Sequence, residues 1–150
     1  MQPIKQLLYN LCCEYVTERI AEATQAIADT QEAVNSETKS TAGDKYETSR
    51  EMMQQEINRD TSRLYEMKKL QAALHLISPD GHSPVVQAGS IVRTNNGNYY
   101  LCISAGQLKV DGVIYQALSA ATPLGRQMLG LKAGDTFEFN GRTYEVQEVV

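Results

Sequence analysis

The chain has no tryptophan, only two phenylalanines, no CxxC pair, no basic run longer than Lys68-Lys69 and no long apolar run. Each absence removes a class of function. A transmembrane helix needs roughly 18 or more apolar residues in succession, so no span is expected. With no secretory leader visible, the expected location is cytoplasmic. Affinity for a phosphate backbone comes chiefly from clustered cations; a formal charge of -4 without such a cluster argues against independent, sequence-specific nucleic-acid binding. The three cysteines are Cys12, Cys13 and Cys102. Their odd number and lack of ligand spacing suit reduced, small apolar residues better than a metal or redox motif. His75 and His82 have no Cys or His partner at metal-binding spacing. No Ser/His/Asp set or phosphate-binding glycine loop is present, so neither an enzyme acting alone nor a cofactor of its own is expected.

Proline and glycine are missing where they would break long helices: neither 4–34 nor 47–77 contains one. In the first segment Ile4, Leu8, Leu11, Val16, Ile20, Ala23, Ile27 and Val34 fall mostly at threes and fours, which keeps one helix face apolar. Met53, Ile57, Leu64, Met67, Leu74 and Ile77 do the same in the second. Two helices of roughly 30 residues are rods on the order of 45 Å long, and an antiparallel coiled coil buries only their seam. The polar stretch 35–46 then forms the hairpin tip, rich in residues that compete with helix hydrogen bonding. Folding about a tip near residue 40 sets Ile20 near Asp60, Ile27 near Met53 and Val16 near Leu64. Asp60 is therefore expected at the seam as a register-setting carboxylate, paired with Arg19 or Arg63.

Ser78-Pro79-Asp80-Gly81-His82-Ser83-Pro84 ends the helical pattern, because two prolines and an Asp-Gly turn cannot continue it. The expected organisation is a hairpin over 1–77, a linker over 78–84 and a second domain over 85–150. There the period changes to short β-rich runs at 90–94, 99–104, 113–118, 136–139 and 143–149, separated by Asn95-Asn96-Gly97-Asn98, Asp111-Gly112, Ala133-Gly134-Asp135 and Asn140-Gly141. Residues 123–129 are the exception, with Pro123 suited to a first helical turn. The fold class is α+β: a long antiparallel helical hairpin, then a small antiparallel sheet with one short helix.

The run Thr122-Pro123-Leu124-Gly125-Arg126-Gln127-Met128-Leu129-Gly130, followed by Lys132-Ala133-Gly134-Asp135 and a strand, resembles the C-terminal signature of bacterial Gre-type transcript cleavage factors, GreA and GreB. Thr122 stands where the family usually has Ser. Tyr46-Glu47-Thr48-Ser49-Arg50-Glu51 is similar to the Glu-Tyr-X-X-Ala-Arg-Glu run that opens the family's second helix. The resemblance implies an FKBP-like C-terminal domain that docks on RNA polymerase near its secondary channel, and a hairpin that reaches through that channel. The implied partner is RNA polymerase; no membrane association is expected from the apolar runs, and the chain is expected to be a monomer or weak oligomer. In cleaving members two tip carboxylates help to hold a Mg²⁺ of the polymerase active centre, where hard cations take carboxylate oxygens and paired metals stabilise attacking and leaving oxygens.

The tip departs from that pattern. The family's acids lie seven and four residues before the tyrosine, and counting back from Tyr46 finds Lys39 and Ala42. Glu37 and Asp44 are the available tip acids, at a different spacing, with Lys39 and Lys45 as candidate contacts to RNA phosphate or an acidic surface. Three readings of the tip stay open: a non-cleaving channel regulator, a cleavage stimulator using Glu37 and Asp44, and a simple hairpin closure. Two other function classes compete. Prolyl isomerase activity would need an aromatic-lined pocket, whereas Phe137 and Phe139 share one strand face and read as core. The other is a coiled-coil interaction protein that docks through the FKBP-like domain.

Overall fold

The structure is a computed structural model that describes residues 3–40 and 44–150, with side chains described for 3–36 and 47–150. Two long helices, α1 (Ile4–Ser40) and α2 (Asp44–His75), precede strands β1 (Ile91–Thr94), β2 (Gly97–Leu101), β3 (Gly106–Val110) and β4 (Val113–Leu118). A short helix α3 (Pro123–Met128) and strands β5 (Thr136–Phe139) and β6 (Arg142–Val149) complete the chain. The α+β class with its helical hairpin is as expected. Helix α1 continues through 35–40, where the polar composition places the tip, so the helical pattern outlasts its apolar stripe. The chain divides into two compact units, one of Met1–Tyr15 with Ala72–Val150 and the other of Val16–Gln71.

The second unit is the paired part of the helices. Val16, Ala23 and Thr30 are buried at heptad intervals on α1, with Ile20 and Ile27 half-buried between them. On α2, Met53, Ile57, Asp60, Leu64 and Met67 alternate by four and three on the less exposed face. This is the spacing of a coiled-coil seam. Its two polar members are satisfied locally: the Thr30 hydroxyl donates to the Ala26 carbonyl at 3.0 Å, and Asp60 pairs with Arg63 at 3.1 Å. Of the two arginines expected to meet Asp60, Arg63 does so, one helical turn away.

In the first unit the strand order is β3-β4-β2-β1-β6-β5. The sheet is mixed where a purely antiparallel one is expected, because β2 and β4 run parallel, Tyr100 facing Ala117. The reason is β3, a strand absent from the runs expected from sequence. After β2 the chain crosses to the edge, runs back as β3, and turns at Asp111-Gly112 so that β4 returns beside β2 in the same direction. Asp111 (φ 51) and Gly112 (φ 80), like Asn140 (φ 51) and Gly141 (φ 76), form two-residue turns with left-handed φ at both positions, matching the twist of the flanking strands.

Alternation along the strands gives the sheet two buried faces. One carries Val92, Tyr99, Leu101, Leu118, Phe137, Tyr144 and Val146, closed by Val86 and Met128. Phe137 stacks on Tyr144 with centroids 4.9 Å apart, and Phe139 packs against the same cluster, so both phenylalanines are core residues. The other face carries Ile91, Tyr100, Tyr115 and Ala117, with Arg93 over the Tyr115 ring at 5.3 Å and paired with Glu148 at 3.2 Å. The first turns of α1 belong to this unit: the Tyr9 hydroxyl donates to the Leu74 carbonyl at 2.9 Å, and the buried Lys5 amine donates to the Gly81 carbonyl. Burial lowers the Lys5 pKa from its ordinary value.

The aromatic cluster carries a pH dependence. Burial pushes the Tyr99 hydroxyl up to about 12, with the neighbouring Tyr144 adding to the effect. An unfolded tyrosine ionises near pH 10, so between about pH 10 and pH 12 the native state keeps a proton that the unfolded chain releases. Stability is therefore full below pH 10 and falls as the pH rises through this window. Urea midpoints measured from pH 8 to 12, alongside tyrosinate absorbance, are expected to decline from about pH 10 upward; a flat profile would show that Tyr99 ionises at its ordinary value.

Candidate functional site

The residues singled out in the sequence fall at two places. Glu37 and Lys39 lie in the last turn of α1, and Asp44 and Lys45 in the first turn of α2. Their side chains, and residues 41–43 altogether, lie outside the described residues. The first described side chains beyond them are exposed or half-buried. Glu47, Arg50, Glu51 and Gln54 line a shallow depression of about 330 Å³ on α2. Farther along the same helix Met52 and Tyr65 are 66% and 62% exposed.

The C-terminal signature is described in full, and most of its members have a local structural task. Thr122 is the N-cap of α3: its hydroxyl accepts from the Gly125 amide at 3.1 Å and donates to the Ser119 carbonyl at 2.7 Å. A threonine serves this position as a serine would, since both supply the capping oxygen. Pro123 follows at the first helical position, where its missing N–H is no loss. Gly125 is buried against the Ser119 carbonyl so closely that a Cβ would lie 2.4 Å from that oxygen. Gly130 (φ 82) ends the helical segment and donates from its amide to the Val86 carbonyl at 3.0 Å.

Gly134 (φ 96) and Asp135 form the turn into β5. The Asp135 carboxylate accepts from the Lys132 amide at 2.9 Å, and the Gly134 amide donates to the Val146 carbonyl at 2.7 Å. These contacts fasten α3 and the turn to β6 and to the Val86 segment. Arg126, by contrast, is exposed beside Gln127, and Leu129 is 41% exposed next to them. The signature is thus a cap, a close approach and two left-handed turns, with Arg126, Gln127 and Leu129 as its outward face.

Among the described residues no group of three His, Cys, Asp or Glu side chains is placed to hold a metal ion. His75 and His82 are both exposed. No described helix is long and apolar enough to cross a membrane. The cysteines are free, with Cys12 and Cys102 buried and Cys13 half-buried. No family model matches the chain, and no curated protein or solved structure does either.

Proposed function

We propose that the protein is an RNA polymerase-binding factor of the Gre type that works through the secondary channel, its helical hairpin inserted and its FKBP-like sheet domain docked outside. The observation that carries this reading is a single chain in which a hairpin of two long helices precedes a small sheet whose α3 and following turn are built from the Thr122–Gly130 and Lys132–Asp135 runs. Because most of those residues are occupied by capping and turning, the resemblance speaks for a shared scaffold, and the activity resides in the tip. With Lys39 and Ala42 at the places of the family's two acids, the favoured action is occupation of the channel without stimulated cleavage. A charged lysine repels a cation, and alanine offers it no oxygen.

The test is transcript cleavage on backtracked elongation complexes of the organism's own polymerase, with Mg²⁺ present. The protein is expected to leave the cleavage rate at its basal level and to reduce, several-fold, the stimulation given by an authentic Gre factor. Stimulated cleavage that is lost in a Glu37→Ala/Asp44→Ala double variant would instead assign the rearranged acids a catalytic task. The exposed Met52 and Tyr65 on α2 favour a second reading, a coiled-coil interaction protein without polymerase activity. Recovery of a different partner, with no polymerase core, on affinity purification would establish it.

A further inference from the structure

The sheet-containing unit buries a lysine that no acid answers. Lys5, in the first turn of α1, keeps only 5% of its surface. Among the described residues the ion pairs are Arg63 with Asp60, Lys69 with Glu66 and Arg93 with Glu148, and none includes Lys5. Its amine donates to the Gly81 carbonyl, a neutral acceptor. Asp80, next to Gly81 in the chain, is exposed and is not paired with Lys5 among the described residues. An ammonium has three donors, so the Gly81 bond leaves two of them for another acceptor. A cation taken out of water without an anion is costly, and burial is what lowers the Lys5 pKa, with no carboxylate acting against it.

Lys5 lines a cavity of about 330 Å³. One wall is the chain just past α2, with Leu76, Ile77 and Ser78, and another is the segment ahead of β1, with Gln87 and Gly89. All of these belong to one compact unit. The walls are fixed by the backbone: the Ile77 amide donates to the Leu74 carbonyl at 3.0 Å, and the Gly89 amide to the Leu101 carbonyl at 2.6 Å. They approach closely at Gly89 (φ 93), where a Cβ would lie 3.1 Å from the Ile77 Cγ2. Leu76, 88% exposed, supplies an apolar side, and Ser78 and Gln87 are polar without charge. The cavity is thus preformed, at the small end of the range for ligand pockets, with one cation and an apolar wall.

We propose that this cavity binds a small aliphatic carboxylate, its charge held by the Lys5 amine and its hydrocarbon laid against Leu76 and Ile77. The carboxylate takes the remaining donors of the ammonium in charge-assisted hydrogen bonds, while the Gly81 carbonyl holds the amine in place. A phosphate dianion suits the site less well, because a single buried cation leaves one of its charges unanswered. A neutral ligand would leave the ammonium as it stands. The site is on the sheet-containing unit and does not depend on the hairpin tip.

The probe is hexanoate, titrated into the full-length, isotope-labelled chain while backbone amide shifts are followed by NMR. The expected result is a saturable shift centred on Gly81 and the 87–89 segment, with a dissociation constant of about 1 mM for a ligand of this size. Hexanamide has the same chain and no charge, and is expected to bind at least about tenfold more weakly, the factor for one charge-assisted hydrogen bond. Lys5→Met keeps an unbranched stem without the amine and is expected to weaken hexanoate binding by a similar factor. Equal binding of hexanamide, equal shifts with inorganic phosphate, or unchanged affinity in Lys5→Met would each overturn the proposal. Shifts elsewhere, or none, would do the same. The comparison of ligands is made on the unmutated chain, so it stands even if the variant fails to fold.

Discussion

Gly125→Ala is expected to destabilise the sheet-containing unit by about 3 kcal/mol. The backbone at Gly125 is not in the left-handed region, so the cost comes from space alone. A methyl group there would lie 2.4 Å from the Ser119 carbonyl oxygen and 3.0 Å from both the Ala120 Cα and the Thr122 hydroxyl oxygen. None of these can yield cheaply. The Ser119 carbonyl accepts from the Thr122 amide at 3.1 Å and from its hydroxyl at 2.7 Å, and that hydroxyl in turn caps α3. Relieving the clash therefore dismantles the cap. Overpacking costs about 1 to 3 kcal/mol, and a lost N-cap adds about 1 kcal/mol. For a chain of this size the corresponding fall in melting temperature is on the order of 10 °C. Thermal melts of the variant beside Arg126→Ala check this, since Arg126 is exposed and its removal is expected to leave the melt unchanged. Equal melts for the two variants would mean that the first turn of α3 slides to accept the methyl group.

Tyr144→Ala is the second large effect, at about 4 kcal/mol, within the range for truncating a buried aromatic side chain. Tyr144 stands between two rings: it lies nearly parallel to Phe137, at 8° and 4.9 Å, and tilted against Tyr99, at 59° and 6.4 Å. Its removal leaves both without a partner and opens the core at the β5–β6 hairpin. Tyr144→Phe separates ring from hydroxyl. It keeps the stacking and removes only the hydroxyl, so its expected cost is below about 1 kcal/mol. Because Tyr144 is second to burial among the causes that raise the Tyr99 pKa, the phenylalanine variant also moves the alkaline loss of stability toward lower pH. Urea unfolding of the two variants, each at neutral and alkaline pH, tests both statements. A Tyr144→Phe cost equal to that of Tyr144→Ala would place the energy in the hydroxyl instead of the ring.

The parts of this fold that sequence reveals are those governed by local rules. The coiled-coil seam is visible because apolar residues recur by threes and fours over many turns. The two-residue hairpins are visible because Asp111-Gly112 and Asn140-Gly141 are residues that accept left-handed φ. Strand β3 is hard to see for the opposite reason. It is an edge strand with only Leu108 and Val110 turned inward, and it begins at Gly106, so its pattern is that of a loop with two apolar residues. Missing it also hides the parallel pairing of β2 with β4, which depends on an intervening strand to reverse the chain twice.

At the candidate site the same division holds. The cap and turns of the α3 region are legible as residue types at fixed offsets. The close approach at Gly125 is not, because it depends on how the chain at Ser119 and Ala120 folds back over α3. Asp60 is intermediate: its place on the seam follows from the heptad, but whether Arg19 or Arg63 answers it depends on rotamers that no period encodes.

The sheet ends in two short strands, β3 with five residues and β5 with four. Each presents an unpaired row of backbone donors and acceptors, which is how separate molecules come to add strand upon strand into fibrils. Here Lys109 sits on one border and Glu138 on the other, both exposed, and glycine opens β3. A neighbouring chain would have to accept charge and a very short pairing length on either side. The sheet thereby carries its own protection against self-templating growth at high protein concentration.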